Sequence, residues 1–306
     1  MSKFLSSNTI NALRGRVGRM LKVLVITAVV SVLAIQCIAP VLMAIAITIP
    51  LKSRICCEMP AKFGVKSTNI AFITGDGLRL SGWYVPPRNG AVVILVHSYY
   101  ADRRQTLPVA EMLYKHGYGV LMYDQRASGE SEGSTRSLGA LDIPDLGRAA
   151  DWLTRQQEDV RIGAYGCSVG GGITLAGAAQ TPSIRAIAVD APSPMRWFEN
   201  MPEFSLRDPF SLPTMALYYI YLRLLSGTSS AAGTLENVHS YASRPILFIS
   251  TGQGDEFSRV NTYFETAGAP KYHWNFPEAG HCAAPISQPE AYEQHLVEFF
   301  DRFLLK

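Results

Sequence analysis

The sequence is short of charge and has no cysteine framework, and each shortage removes a class of explanation. Charged residues make up 17% of the 306 positions and the net charge is only +3. That surplus is too small to form a nucleic-acid surface, which needs basic side chains gathered on one face. The five cysteines are Cys37, Cys56, Cys57, Cys167 and Cys282. None is spaced as Cys-x-x-Cys or as a Cys/His zinc set, so no structural metal is expected, and no cofactor either. Cys56 and Cys57 would be candidates for acylation only if they faced a cytoplasm, and they read more simply as unmodified residues at a membrane boundary. There is no internal repeat.

Charge is missing altogether from residues 23–51, between Lys22 and Lys52. A helical span needs about 20 apolar residues, so this run crosses a bilayer once with length to spare. It is also longer than the ~7–15 residues of a secretory signal core, which favours an uncleaved anchor over a cleaved leader, although Ala44-Ile45-Ala46 resembles a cleavage site. Pro40 is expected to kink the helix or end a shorter span. Lys3, Arg14, Arg16, Arg19 and Lys22 precede the span without an acidic residue among them, which favours a cytoplasmic N-terminus and an extracytoplasmic remainder. Lys52, Arg54, Lys62 and Lys66 follow it closely and reduce the asymmetry. The expected organisation is a basic segment 1–22, an anchor 23–51, a linker 52–67 and a catalytic domain 68–306.

Within 68–306, strand and helix signals alternate. Residues 70–74 and 78–85 flank Gly75-Asp76-Gly77 and read as a hairpin. Residues 92–96, Val-Val-Ile-Leu-Val, form a continuous apolar run of strand length, the kind buried on both faces. Helix 106–116, strand 119–124, helix 143–156, strand 160–165, helix 170–179, and strands 184–190, 245–250 and 271–276 follow, with a terminal amphipathic helix over 290–305. This pattern predicts an α/β domain with a mostly parallel central sheet and flanking helices. Residues 191–244 break the rhythm. They are far longer than a crossover helix requires and contain Trp197, Phe198, Phe204, Phe210 and the run Leu217-Tyr218-Tyr219-Ile220-Tyr221-Leu222, which predicts a small helical cap over the carboxyl ends of the strands. An ordinary crossover helix with its loops is the plainer alternative.

The chemistry centres on Gly166-Cys167-Ser168-Val169-Gly170. A serine hydroxyl needs a base to take its proton and donors to stabilise the oxyanion it generates. Gly-x-Ser-x-Gly between a strand and a helix lifts the serine above the sheet edge on a sharp turn. The base should follow an acid downstream. His281, in Gly280-His281-Cys282 between a strand and the terminal helix, is the expected base. His239 lies at the wrong end of its strand, His273 within a strand and His295 within the terminal helix. Asp255, directly after strand 245–250, is the expected acid, with Glu256 as a neighbouring fallback and Asp190, at the end of the preceding strand, as the rival. The oxyanion donors are expected to be the backbone N–H groups of Val169 and Tyr99, the latter in the loop after strand 92–96. His97 reads as a loop-ordering residue, and Asp124 and Arg126 as a structural pair.

These segments, with Leu95-Val96-His97-Ser98-Tyr99-Tyr100, Tyr123-Asp124-Gln125-Arg126-Ala127-Ser128-Gly129 and Gly254-Asp255, resemble the α/β-hydrolase superfamily, in particular its serine aminopeptidase and prolyl-oligopeptidase-like branches with their esterases. The resemblance covers 68–306 and implies an α/β-hydrolase fold with Ser168 as nucleophile, Asp255 as acid, His281 as base, and Tyr99 and Val169 at the oxyanion hole. Two positions depart from the family pattern. Ser98 and Ala127 stand where glycine is usual.

The expected activity is that of a membrane-anchored, carboxylesterase-like serine hydrolase cleaving an ester, thioester or amide through an acyl-enzyme at Ser168. The expected partners are a small-molecule or acyl substrate of lipophilic character and the membrane, with no nucleic acid. A peptidase of the same fold, or a silent binding protein on it, are the alternatives.

Overall fold

The computed structural model describes residues 7–49, 67–137, 139–196, 199, 211–228 and 232–306. Trp197, Phe198, Phe204 and Phe210, together with Cys56 and Cys57, lie outside the described residues.

The chain begins with one long helix, α1 (Ser7–Thr48), which continues through Pro40. The helix therefore does not end at Pro40. Pro40 is buried on the face that also carries Gln36 and Ala44, a stripe recurring every four residues, whereas Val23–Ile35 is exposed all round. Packing on that stripe holds the helix across a residue that removes one of its hydrogen bonds. Among the described residues, α1 is the one helix long and apolar enough to cross a membrane.

The hairpin β1 (Thr68–Ile73) and β2 (Arg79–Val85) opens the sheet, turning at Gly77, whose φ of +90° suits glycine. The remaining strands are β3 (Ala91–Val96), β4 (Gly119–Tyr123), β5 (Arg161–Cys167), β6 (Ile184–Asp190), β7 (Ile246–Thr251) and β8 (Lys271–Phe276). The strand order is β1-β2-β4-β3-β5-β6-β7-β8, antiparallel through β1, β2 and β4 and parallel thereafter.

Strand β3 shows why its sequence is a continuous apolar run. Val93 and Leu95 join the core beneath α2 (Leu107–Lys115) and α9 (Pro289–Phe300), while Val92, Ile94 and Val96 join the opposite core beneath α3 (Asp142–Gln156) and α4 (Val169–Gln180). With both faces covered, neither side of the strand can be polar. At the sheet ends, Arg126 pairs with Asp76 and Asp145, and Asp124 pairs with Arg103. Both residues are structural as expected, but with separate partners rather than with each other.

Among the described residues of the long segment between β6 and β7 are two helices that go separate ways. Its second helix, α6 (Thr234–Ser240), is a crossover element whose Val238 enters the same core as α4 and α7 (Glu256–Thr266). Its first, α5 (Ser211–Ser226), leaves the sheet and lies along α1. Tyr218 and Leu222 share an apolar cluster with Ala44, and Thr214 hydrogen-bonds Gln36.

Candidate active site

The strand-to-helix turn at Ser168 is built as its glycines require. Ser168 has φ 56° and ψ −122°, a left-handed conformation that side chains other than glycine resist, between the last residue of β5 and the first of α4. A Cβ on Gly166 would run into the Gly170 carbonyl and the Thr174 hydroxyl, and one on Gly170 into the carbonyls of Val96 and His97. The first turn of α4 therefore sits directly against the end of β3. Backbone hydrogen bonds hold the strained residue: Ser168 N–H donates to the Asp190 carbonyl at 2.8 Å, and its carbonyl accepts from Ser193 N–H at 2.9 Å. The Ser168 and Ser193 hydroxyls lie 3.1 Å apart. Ser193 follows β6 with no sequence signal to mark it.

His281 does not pair with Asp255. Its Nδ1 lies 2.6 Å from Oε2 of Glu256, whose Oε1 accepts from the backbone N–H of Thr251 at 2.6 Å and from the Thr251 hydroxyl at 2.7 Å. The geometry of the turn is the reason. After β7 the chain turns through Gly252-Gln253-Gly254, with Gly254 at φ +50°, so Asp255 becomes the N-cap of α7 and stays exposed. Glu256, the first helical residue, is buried, and its longer side chain reaches back to the strand end. Asp190 is not the partner either. It accepts from the Tyr292 hydroxyl at 2.7 Å and the Tyr165 hydroxyl at 3.4 Å, while burial pushes its carboxyl up to about 6.

The electrostatics of the pair follow from these bonds. Burial opposes charge on Glu256, but hydrogen bonds from His281 and Thr251 outweigh it and hold the carboxyl below the usual range. The hydrogen bond that His281 donates to Glu256 raises the imidazole above its ordinary value against partial burial. The carboxylate accepts from Nδ1–H, which leaves Nε2 as the basic nitrogen.

A covalent link accompanies this arrangement. Cys167, immediately before Ser168, is disulfide-bonded to Cys282, immediately after His281, with their Cα atoms 6.1 Å apart. The spacing of the cysteines gave no sign of it, because each lies in a different motif. Cys282 itself has φ 55°. Among the described residues Ser168 and His281 form no direct hydrogen bond, yet the segments that carry them are joined.

The loop after β3 is ordered by His97 and Gln125. Buried His97 accepts the Gln125 N–H at Nε2 over 3.0 Å and donates from Nδ1 to the Ser98 carbonyl over 2.7 Å, and burial lowers its imidazole to about 4. It is thus a neutral ordering group. Ser98 keeps a negative φ and donates its N–H to Gln105 at 2.6 Å, so the glycine usual there is not needed for backbone conformation. Ala127 does occupy the left-handed region, at φ 55°. Tyr99 belongs to this loop, and its hydroxyl donates to the Ile47 carbonyl of α1 at 3.0 Å. Arg136 lies over the Tyr99 ring, 5.1 Å from its centroid, and donates its backbone N–H to the Thr48 carbonyl at 2.8 Å.

A separate cavity of about 720 Å³ lies between the insertion and α7, with Arg196, Glu199, Glu236, Asp255, Arg259 and Tyr263 among its walls. Its described lining includes neither Ser168 nor His281. Arg196 and Glu236 pair across it at 3.2 Å.

A model of the X-Pro dipeptidyl-peptidase (S15) family matches residues 76–233, just over half of the chain. The chain belongs to that family. Over 244 residues it is 25% identical to YqkD of Bacillus subtilis, spanning 78% of this chain and 80% of that one. Over 127 residues it is 33% identical to the thiohydrolase aneE of Aspergillus aculeatus, spanning 39% of this chain and 40% of aneE. The solved Pyrococcus furiosus esterase Pf2001 superposes with a TM-score of 0.68 at 23% identity, covering 84% of this chain and 98% of the esterase. The S15-family chain is therefore a hydrolase with the α/β-hydrolase fold. The sheet order, with its antiparallel opening and parallel remainder, fits that assignment.

Proposed function

We propose that this chain is a membrane-anchored serine hydrolase that cleaves an ester, thioester or amide through an acyl-enzyme at Ser168. The observation that carries the reading is the 2.6 Å contact of His281 Nδ1 with buried Glu256, tied through the Cys167–Cys282 disulfide to the turn that presents Ser168. Ser168 Oγ turns from Ser193 toward His281 Nε2 and attacks the substrate carbonyl as Nε2 takes its proton. The backbone N–H groups of Val169 and Tyr99 receive the oxyanion. Collapse breaks the bond to the leaving group, which departs with the proton from Nε2. Water then repeats the sequence and frees the acid. Glu256 holds the imidazole tautomer and stabilises the imidazolium without being protonated itself.

In this reading α1 is an uncleaved anchor. The disulfide favours an oxidising compartment for the catalytic domain, in agreement with the basic segment ahead of the span remaining cytoplasmic. The thiohydrolase and esterase among its relatives favour acyl-oxygen or acyl-sulfur cleavage. Peptide-bond cleavage is the second reading, favoured by the S15 match. A fluorophosphonate probe is expected to label the full chain and to fail on Ser168→Ala. Folded wild type that takes no label would sink the serine-hydrolase assignment, and turnover of acyl esters against X-Pro amides decides between the two readings.

A further inference from the structure

The segment between β6 and β7 sends α5 away from the sheet and onto α1. Thr214, near the start of α5, meets Gln36, while Tyr218 and Leu222 cluster with Ala44, so α5 climbs beside the final turns of α1 toward the catalytic domain. Gln36 lies about 18 Å below the end of α1 at Thr48, at ~1.5 Å per residue. A span that starts at Val23, just beyond Lys22, consumes about 20 residues and ends near position 43. The start of α5 therefore lies at the depth of the far leaflet.

The outward face of α5 matches that depth. Pro213, Ala216 and Ile220 recur at helical spacing on its exposed side within that depth, with Ile220 52% accessible, and Leu224, 72% accessible, carries the same face about one turn further, to the boundary with the headgroups. A helix packed on a domain in water turns polar residues outward, and this one turns apolar residues outward. Its single charge, Arg223, lies in the last turn, toward the catalytic domain and level with the headgroups rather than the hydrocarbon. The same turns of α1 are fastened to the loop of the site: Tyr99 bonds the Ile47 carbonyl and Arg136 the Thr48 carbonyl.

We propose that α5 is embedded in the outer leaflet beside α1, and that the site acts on long-chain acyl esters or thioesters resident in that leaflet, which reach Ser168 along the α1–α5 seam. This rests on the reading of α1 as an anchor and of Ser168 as nucleophile. It adds a second membrane element and a substrate source.

The test uses the full chain in phosphatidylcholine vesicles, with Cys37, Cys56 and Cys57 replaced by serine and one environment-sensitive label at Val29→Cys, Ile220→Cys or Arg155→Cys. Lipid spin-labelled on its acyl chain is expected to quench the labels at 29 and 220 and to spare the one at 155. Quenching at 29 without quenching at 220 overturns the proposal and leaves the anchor standing. No quenching at 29 removes the anchor, and the proposal with it. For the substrate, turnover of a long-chain fluorogenic ester in the vesicles is divided by turnover of soluble p-nitrophenyl acetate. Ile220→Asp with Leu224→Asp is expected to lower that ratio at least tenfold, and an unchanged ratio overturns delivery from the leaflet. A wild type that cleaves neither ester, with the label at 220 still quenched, defeats the hydrolase reading and the substrate assignment but not the placement of α5.

Discussion

Glu256 and His281 are joined by a 2.6 Å hydrogen bond although Asp255, one residue earlier, is the acid that strand-end placement favours. The difference is whether the turn after β7 ends one residue sooner or later, and burial separates the two: Glu256 is 3% exposed and Asp255 is open to solvent.

That separation predicts opposite outcomes for two conservative changes. Glu256→Gln is expected to lower kcat about 10³-fold or more, because an amide no longer stabilises the imidazolium. Asp255→Asn should leave turnover close to wild type. Steady-state kinetics on a soluble ester, with circular dichroism to confirm folding, distinguishes them.

The same bond sets the pH dependence. With His281 as the proposed base, the reaction needs neutral Nε2, so activity is expected to fall as pH drops through the raised His281 value. The midpoint of this acid limb in kcat/KM is expected above that of an ordinary histidine, and Glu256→Gln should move it to lower pH. Stability carries the matching signature. The share from raised His281 is full below the unfolded imidazole value and is lost as pH rises through the folded one. The share from depressed Glu256 is present above the unfolded carboxylate value and is lost as pH falls through its folded one. Thermal melts of wild type and Glu256→Gln across this window would reveal both.

Reduction of Cys167–Cys282 should cost both turnover and stability. The bridge spans a sequence separation of 115, for which loop-closure entropy sets an upper stabilisation of about 4–5 kcal/mol. Cys167→Ala with Cys282→Ala is expected to lower Tm and kcat, and wild type in dithiothreitol should follow the variant. A variant with unaltered kinetics would show that the bridge does not align the site.

Gly170→Ala is expected to be among the most damaging small substitutions in the domain. The added methyl meets the carbonyls of Val96 and His97, backbone that cannot swing aside. The expected result is loss of soluble protein or a destabilisation of roughly 1–3 kcal/mol in urea melts, together with lost fluorophosphonate labelling. Gly77→Ala, whose methyl meets no neighbour but whose φ is +90°, supplies a comparison in which only backbone strain changes.

Much of this was legible because local rules and the fold agree. Residues 92–96 read as a doubly buried strand because both faces are covered, and Gly75-Asp76-Gly77 marks a hairpin that forms. Gly166 and Gly170 bracket Ser168 because close backbone contacts exclude a side chain at both. What escaped was set by long-range packing. The pairing of α5 with α1 joins Thr214 to Gln36, segments with no shared pattern. Cys167 and Cys282 become partners only after the sheet has brought β5 and the histidine loop together. Ser193 lies in an irregular loop whose path depends on the strands around it. Glu256 was missed by one position, since neither strand nor helix propensity locates a helix start to a single residue.

The disulfide also changes what a protease can do to this protein. Residues 167–282 form a covalent ring that contains α4, the whole insertion with α5 and α6, and the turn at Glu256. A single cut anywhere in that ring, however long the nicked loop, releases nothing. The two fragments still migrate as one until reductant is added, and the Ser168 turn stays tethered to the His281 loop across the break.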